Sequence, residues 1–98
     1  MRTYQLRRYE LEPELANEFI AWATNEIFPR RERFGFTVEW SFVDEANSQL
    51  IWLASAKGDR SEFERLDRAW YSSNERAEVA PVMPPALIKM NLSFVTKI

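Results

Sequence analysis

"TYQLRRYELEPE", residues Thr3 to Glu14, alternates with a period of two and then meets a proline. In a strand that period places Tyr4 and Leu6 on one face and Gln5, Arg7 and Tyr9 on the other. Pro13 is tolerated as a first helical residue, so the stretch reads as a strand that runs straight into a helix. The apolar face is expected to meet the helices. What the second face meets, being neither plainly core nor plainly solvent, decides how the domain is used.

Working outward, Leu15, Phe19, Trp22, Ala23 and Ile27 recur at three and four, which predicts an amphipathic helix with an aromatic inner stripe. Pro29 lacks an amide hydrogen and crowds the preceding turn, so a kink is expected near Phe28. "RRERFG" then runs to Gly35, a plausible helix terminator. A second strand follows, with Phe36, Val38, Trp40 and Phe42 expected on one face and Thr37, Glu39, Ser41 and Val43 on the other. "DEANS", Asp44 to Ser48, suits a hairpin loop ahead of a third strand, "QLIWLASA". Pairing Phe42 with Leu50 and Trp40 with Trp52 would align both apolar sets.

Ser61 and Glu64 have the spacing of a capping box, so a second helix is expected from Ser61, carrying Phe63, Leu66 and Trp70 inward. From Ser72 to Pro85 the periodicity is lost, and Pro81, Pro84 and Pro85 mark a connector. "LIKMNLSFV" reads as a fourth strand, with Ile88, Met90, Leu92 and Phe94 facing one way and Lys89, Asn91 and Ser93 the other. The order βαββαβ predicts a ferredoxin-like α+β domain, a four-stranded antiparallel sheet with two helices on one face.

At 98 residues the chain makes one domain, 1–98, large enough to bury a real core. A hydrophobic content of 46% with only 2 Gly argues against disorder or a repeat array. Thirteen Lys+Arg against fifteen Asp+Glu leave a charge of −2, which supplies no general attraction to phosphate backbones or acidic membranes. No nucleic-acid or membrane partner is therefore expected, and a small molecule or a protein is the better candidate. With no Cys and no His the chain lacks disulfides, thiolate nucleophiles, zinc-finger ligands, the usual haem ligand and the commonest general base. No metal and no cofactor is expected. The start of the chain does not resemble a signal peptide, and no apolar run approaches the roughly 18 residues of a membrane span, so a cytoplasmic protein is expected.

The mixed face collects Gln5, Arg7, Tyr9, Thr37, Glu39, Ser41, Ile51, Leu53, Ser55, Lys89, Asn91 and Ser93. A solvated face rarely carries Tyr9, Ile51 and Leu53, and a dry one could not hold Arg7, Glu39 and Lys89 unpaired. A wet interface between two copies or a ligand cavity satisfies both constraints.

"YQLRRYELEP" resembles the opening strand of the NIPSNAP family: tyrosine, a polar residue, leucine, arginine, any residue, tyrosine, then a helix begun by proline. "IFPRRERFGF" is similar to that family's proline-containing end of the first helix with its glycine before strand two. "LIWLASA" and "FERLDRAW" resemble its third strand and second helix, so the similarity covers Tyr4 to about Trp70. The resemblance implies a homodimer, a dimeric α+β barrel in which two sheets pack face to face around a lumen. The wider superfamily includes cofactor-independent monooxygenases, haem-degrading enzymes and binding proteins, whereas the NIPSNAP group has no securely assigned reaction. Fold alone transfers no chemistry.

Within such a lumen Arg7 and Tyr9 are candidates to orient a carboxylate or carbonyl, and Glu39 is the candidate catalytic base. Ser41, Lys89 and Asn91 are further candidate ligand contacts. The alternative is structural: Arg7 and Glu39 pair across the dimer and fix its register. Arg30, Arg31 and Arg33 form a basic cluster that the helix C-terminus suffices to explain. The expected function is binding or transforming a small organic molecule in the lumen, against an interaction module whose interface is filled by side chains.

Overall fold

In the computed structural model, which describes residues 1–98, Arg2–Leu11 forms strand β1 and Pro13–Leu15 a single 3₁₀ turn. Helix α1, Ala16–Trp22, continues through a wider π turn, Ala23–Ile27, into helix α2, Phe28–Phe34. The widening has a local cause. Pro29 has no amide hydrogen and its ring crowds the turn before it, so Phe28 N–H donates five residues back, to Ala23 O. Gly35, at φ 128°, ends α2 in a conformation that favours glycine.

Strands β2 (Thr37–Asp44) and β3 (Gln49–Lys57) form a hairpin. In its loop Asp44 accepts hydrogen bonds from Asn47 N and Nδ2, and Ser48 takes a positive φ. Helix α3, Arg60–Tyr71, starts one residue earlier than the Ser61–Glu64 spacing suggests, because Asp59 is the cap and accepts from Glu62 N. The segment expected to be a plain connector holds a short helix α4, Asn74–Ala77, capped by Ser73, and a 3₁₀ turn, Ala80–Val82. Strand β4 is Leu87–Val95.

All neighbours in the sheet are antiparallel, in the order β2-β3-β1-β4, so the expected ferredoxin-like α+β architecture is present. Sixteen buried apolar residues form one core between the sheet and the helices, with Phe19, Phe63, Trp52 and Trp70 at its centre. Burying a large apolar side chain contributes about 1.5–3 kcal/mol, which gives this layer the means to hold polar groups as well.

Two strands present the opposite face from the one expected. In β1 it is Gln5, Arg7, Tyr9 and Leu11 that point into the core, opposite Ala54, Trp52 and Leu50 of β3, while Tyr4 and Leu6 lie on the open face. A period of two fixes which residues share a face but not which face is covered, and both faces of β1 contain apolar residues. In β2 a bulge at Glu39 divides the expected apolar set. Val38 opposes Ala54 inward, whereas Trp40 opposes Leu53 and Phe42 opposes Ile51 on the open face, so the expected Trp40–Trp52 and Phe42–Leu50 pairs do not form. One extra residue in a strand turns every later side chain over. A second irregularity in β4 places Leu87 opposite Leu11 and leaves Ile88 exposed. The expected faces of β3 and of β4 from Lys89 onward agree with the registers.

Candidate functional site

The helix-covered face of the sheet holds a polar cluster inside the aromatic core. Arg7 has no exposed surface and Arg31, from α2, is 1% exposed. Arg7 Nη1 donates to Gln5 Oε1 at 2.6 Å, Nε to Tyr9 Oη at 3.0 Å and Nη2 to Tyr71 Oη at 2.8 Å. Arg31 Nη1 bonds Asp67 Oδ1 at 3.0 Å, and the second oxygen of that carboxylate lies 3.9 Å from Arg7 Nη1. Asp67, from α3, thus stands between two guanidiniums. The Trp52 ring lies beside both, with centroid distances of 5.1 Å to Arg7 and 5.3 Å to Arg31.

The helices place these groups by ordinary spacing. Ile27, Arg31 and Phe34 follow one another at four and three along the first helical segment, and Phe63, Asp67 and Trp70 do so along α3. Each stripe carries one charge in an otherwise apolar row, and the two charges meet. Burial pulls the Arg31 guanidinium below its ordinary value, with Arg7 acting the same way. Burial also acts to lower Arg7, but Tyr9, Tyr71 and Asp67 together hold it above its ordinary value. The Tyr9 phenol is pushed up, chiefly by burial and against the pull of Arg7.

A cavity of about 100 Å³ opens beside the cluster. Its walls are mainly apolar, with Phe19, Trp22, Phe28 and Met83 among them, and Tyr9, Trp52 and Arg31 also face it. Exposed Tyr71 and Met90 stand at its edge together with half-buried Arg76. Two of the lining residues, Arg31 and Trp52, each keep a buried donor, Nε and Nε1, that has no hydrogen-bond partner within the chain. An unmet buried donor costs about 1–3 kcal/mol, and natural structures contain few.

The residues singled out from the sequence are divided between the two faces. Arg7 and Tyr9 sit together in the core, which removes them from any surface that a second copy could touch and corrects their expected place on the open face. Arg7 forms its contacts within the chain, so it is not available to pair with Glu39 across a dimer. Glu39 is exposed on the open face, where it accepts from Ser55 Oγ, itself bonded by Arg2. Asn91 bonds Glu10 on that face, and Lys89 stands opposite Glu10. Ser41 opposes Trp52 but is exposed, since the helices do not cover that end of β2. Within the basic cluster, Arg30 pairs with Glu26, Glu75 and Glu78 and Arg33 with Glu75, while Arg31 is the buried member.

The open face also carries an apolar patch. Trp40 and Phe42 are exposed with their rings 5.4 Å apart, next to half-buried Ile51, Leu53, Tyr4 and Leu6. A groove of about 480 Å³ runs along it, walled by Tyr4, Leu6, Glu39, Trp40 and Leu53.

Comparison of the whole fold with solved structures gives consistent neighbours. An uncharacterized NIPSNAP domain protein from Burkholderia xenovorans superposes with a TM-score of 0.82 at 13% identity, over 100% of this chain and 95% of that one. A NIPSNAP-like domain protein from the same organism gives 0.81 at 21% identity, over 99% and 85%. This chain has the NIPSNAP-domain fold. A candidate antibiotic biosynthesis monooxygenase from Bacteroides thetaiotaomicron also matches, at a TM-score of 0.71 and 13% identity over 98% and 89%. No protein-family model and no curated protein matches the chain. The NIPSNAP-like fold implied by the opening strand is therefore present, at identities that speak for architecture alone.

Proposed function

We propose that the protein is a cytoplasmic NIPSNAP-like homodimer whose subunits each bind a small organic molecule between sheet and helices. The observation that carries this reading is the apolar cavity, two of whose lining residues, Arg31 and Trp52, hold a buried donor unmet within the chain. Ligand sites combine an apolar lining with a few fixed polar groups, and this cavity has that composition on a small scale. The ligand site accordingly moves from the lumen between two sheets to the interior of one subunit, because Arg7 and Tyr9 face inward. The lumen-side role of Glu39 as a base loses its proposed partners with them. Likeness to a candidate monooxygenase keeps transformation of the ligand, as well as binding, within the proposal.

Dimerisation is supported by the open face, where Trp40, Phe42, Ile51 and Leu53 form a contiguous apolar surface of the kind that soluble chains cover. Covering it with a second copy closes the space between two sheets. A second reading is favoured by one observation: all the nitrogens of Arg7 are engaged within the chain, which suits a polar core that specifies the fold. Two-dimensional NMR of uniformly labelled protein decides between them. A fragment set that shifts the Trp52 indole resonance supports the ligand site, while an indole signal indifferent to every fragment leaves the structural reading in its place.

A further inference from the structure

The polar balance of the cavity specifies the charge of its ligand, a step that rests on the interior site just proposed. We propose that the cavity takes a small organic acid, its carboxylate accepting from Arg31 and Trp52 and its apolar body lying against Phe19, Trp22 and Phe28.

Three features converge on this chemistry. The first is the sign of the site. Arg7 and Arg31 share one carboxylate, Asp67, and Arg76 at the edge stacks on Tyr71 at 4.9 Å without any ion pair of its own. Asp67 is the one carboxylate among the groups that contact the two guanidiniums, so the buried region carries an excess of positive charge. Unbalanced charge in a low-dielectric interior is costly, and an anion removes the imbalance. The second is the kind of group left unmet. Arg31 Nε and Trp52 Nε1 are both donors that cannot accept, so they call for a ligand presenting acceptor oxygens and have no use for an ammonium. A carboxylate supplies acceptor capacity on two oxygens and forms the shorter, stronger, charge-assisted bonds with a guanidinium.

The third is the lining and the size. Apolar walls favour a single charge over a dianion such as phosphate, whose further oxygens would need donors that the walls do not supply. A volume of about 100 Å³ is somewhat below the roughly 150 Å³ of an apolar cavity that accepts benzene. A short branched acid is therefore the size the cavity encloses, and a ring with one acid group would extend from its open end past Tyr71 and Met90.

The test is a titration of the wild-type homogeneous protein with three probes of one shape, benzoate, benzamide and benzylamine, followed through the Trp52 indole and Arg31 Nε–H resonances. Benzoate is expected to shift both and to bind at least about tenfold more tightly than benzamide, with benzylamine weakest. Trp52→Phe, which removes the indole donor, is expected to weaken benzoate more than benzamide. Arg31→Lys, which keeps the charge but loses Nε, should do likewise, with melting curves confirming that both variants fold. Equal affinity for acid and amide would overturn the assignment of charge while leaving the interior site intact. Failure of all three probes to move either resonance would overturn the interior site itself.

Discussion

The two faces of the sheet differ in what they leave unusual: the covered face holds a charge inside an apolar core, and the open face leaves large apolar side chains uncovered. The covered face of β1 carries Gln5, Arg7 and Tyr9, whereas the open face carries Leu6 and Tyr4 beside Ile51, Leu53, Trp40 and Phe42. On the covered side, the polar groups around Arg7 satisfy one another: every nitrogen of Arg7 has a partner, and Asp67 serves two arginines. On the open side nothing in the chain covers the apolar residues. The contrast teaches that burial of Arg7 is complete within one subunit, while Tyr4 and Leu6 of the same strand lie on a face that the chain leaves uncovered.

The sharpest way to break this contrast is to remove the shared carboxylate. Asp67→Ala leaves two buried guanidiniums with no countercharge, and loss of one member of a buried ionic cluster costs about 3–5 kcal/mol. Arg31→Met, by contrast, leaves Arg7 beside Asp67 and replaces a cation by an apolar side chain among Phe36, Trp52 and Trp70. It is expected to cost much less. Urea unfolding of the two variants checks this, and comparable losses would show that the cluster is not held together through Asp67.

Next in size is Tyr9→Phe, which takes from Arg7 Nε its acceptor. An unmet buried charged donor predicts a loss of about 1.5–3 kcal/mol at neutral pH. The pH dependence gives a second readout. Burial raises the Tyr9 phenol above its value in the unfolded chain, about 10. Above that pH the unfolded chain releases a proton that the folded one keeps, so stability falls as pH rises from there through the folded value. Wild type should therefore lose stability more steeply than Tyr9→Phe in alkaline urea titrations, whatever their relative stabilities at neutral pH. Parallel slopes would mean that Tyr9 is hydrated in solution.

On the open face the expected effect is on association. Replacing Trp40 and Phe42 together by Ser should weaken the dimer at least about tenfold, or 1.4 kcal/mol, as measured by sedimentation at several concentrations. The circular dichroism of the subunit should be preserved, because neither side chain belongs to the core. A wild-type chain that sediments as a monomer at every concentration would remove the open face as an interface.

Much of this fold can be read from local signals. The strand periods, Pro13, the disturbance before Pro29 and the stop at Gly35 each act through their own backbone, so the order of elements follows from residues in isolation. The side of the sheet does not. It depends on bulges at Glu39 and Ile88 and on which of two partly apolar faces the helices choose, which are tertiary facts. The candidate site was half legible for the same reason. Arg7 and Tyr9 stood out as residues too polar for a core and too aromatic for solvent, but their partners were hidden in the helices. Arg31 looked like one of three surface arginines and Asp67 like one acid among many. The readable sign was the place of each as the lone charge in an apolar row at spacings of four and three.

The smallest expected effect comes from the neighbour of Arg7. Arg8 points to the open face, where its nearest polar contact is Gln49 at 3.3 Å. As an exposed side chain outside the core, Arg8→Ala should change subunit stability by no more than about 0.5 kcal/mol. Its register places it opposite Asn91 and Ile51, within the surface that a second copy would cover. Charges at the rim of an interface act mainly on association rate and salt dependence. Arg8→Ala should therefore leave urea unfolding at low protein concentration unchanged and flatten the salt dependence of dimerisation. Arg7→Ala in the same assays should act on unfolding first. Two adjacent arginines thereby report separately on the two faces: if Arg8→Ala instead destabilised the isolated subunit as Arg7→Ala does, the open face would have to be packed within one chain, and the division between a self-contained inner face and a partner-dependent outer one would fall.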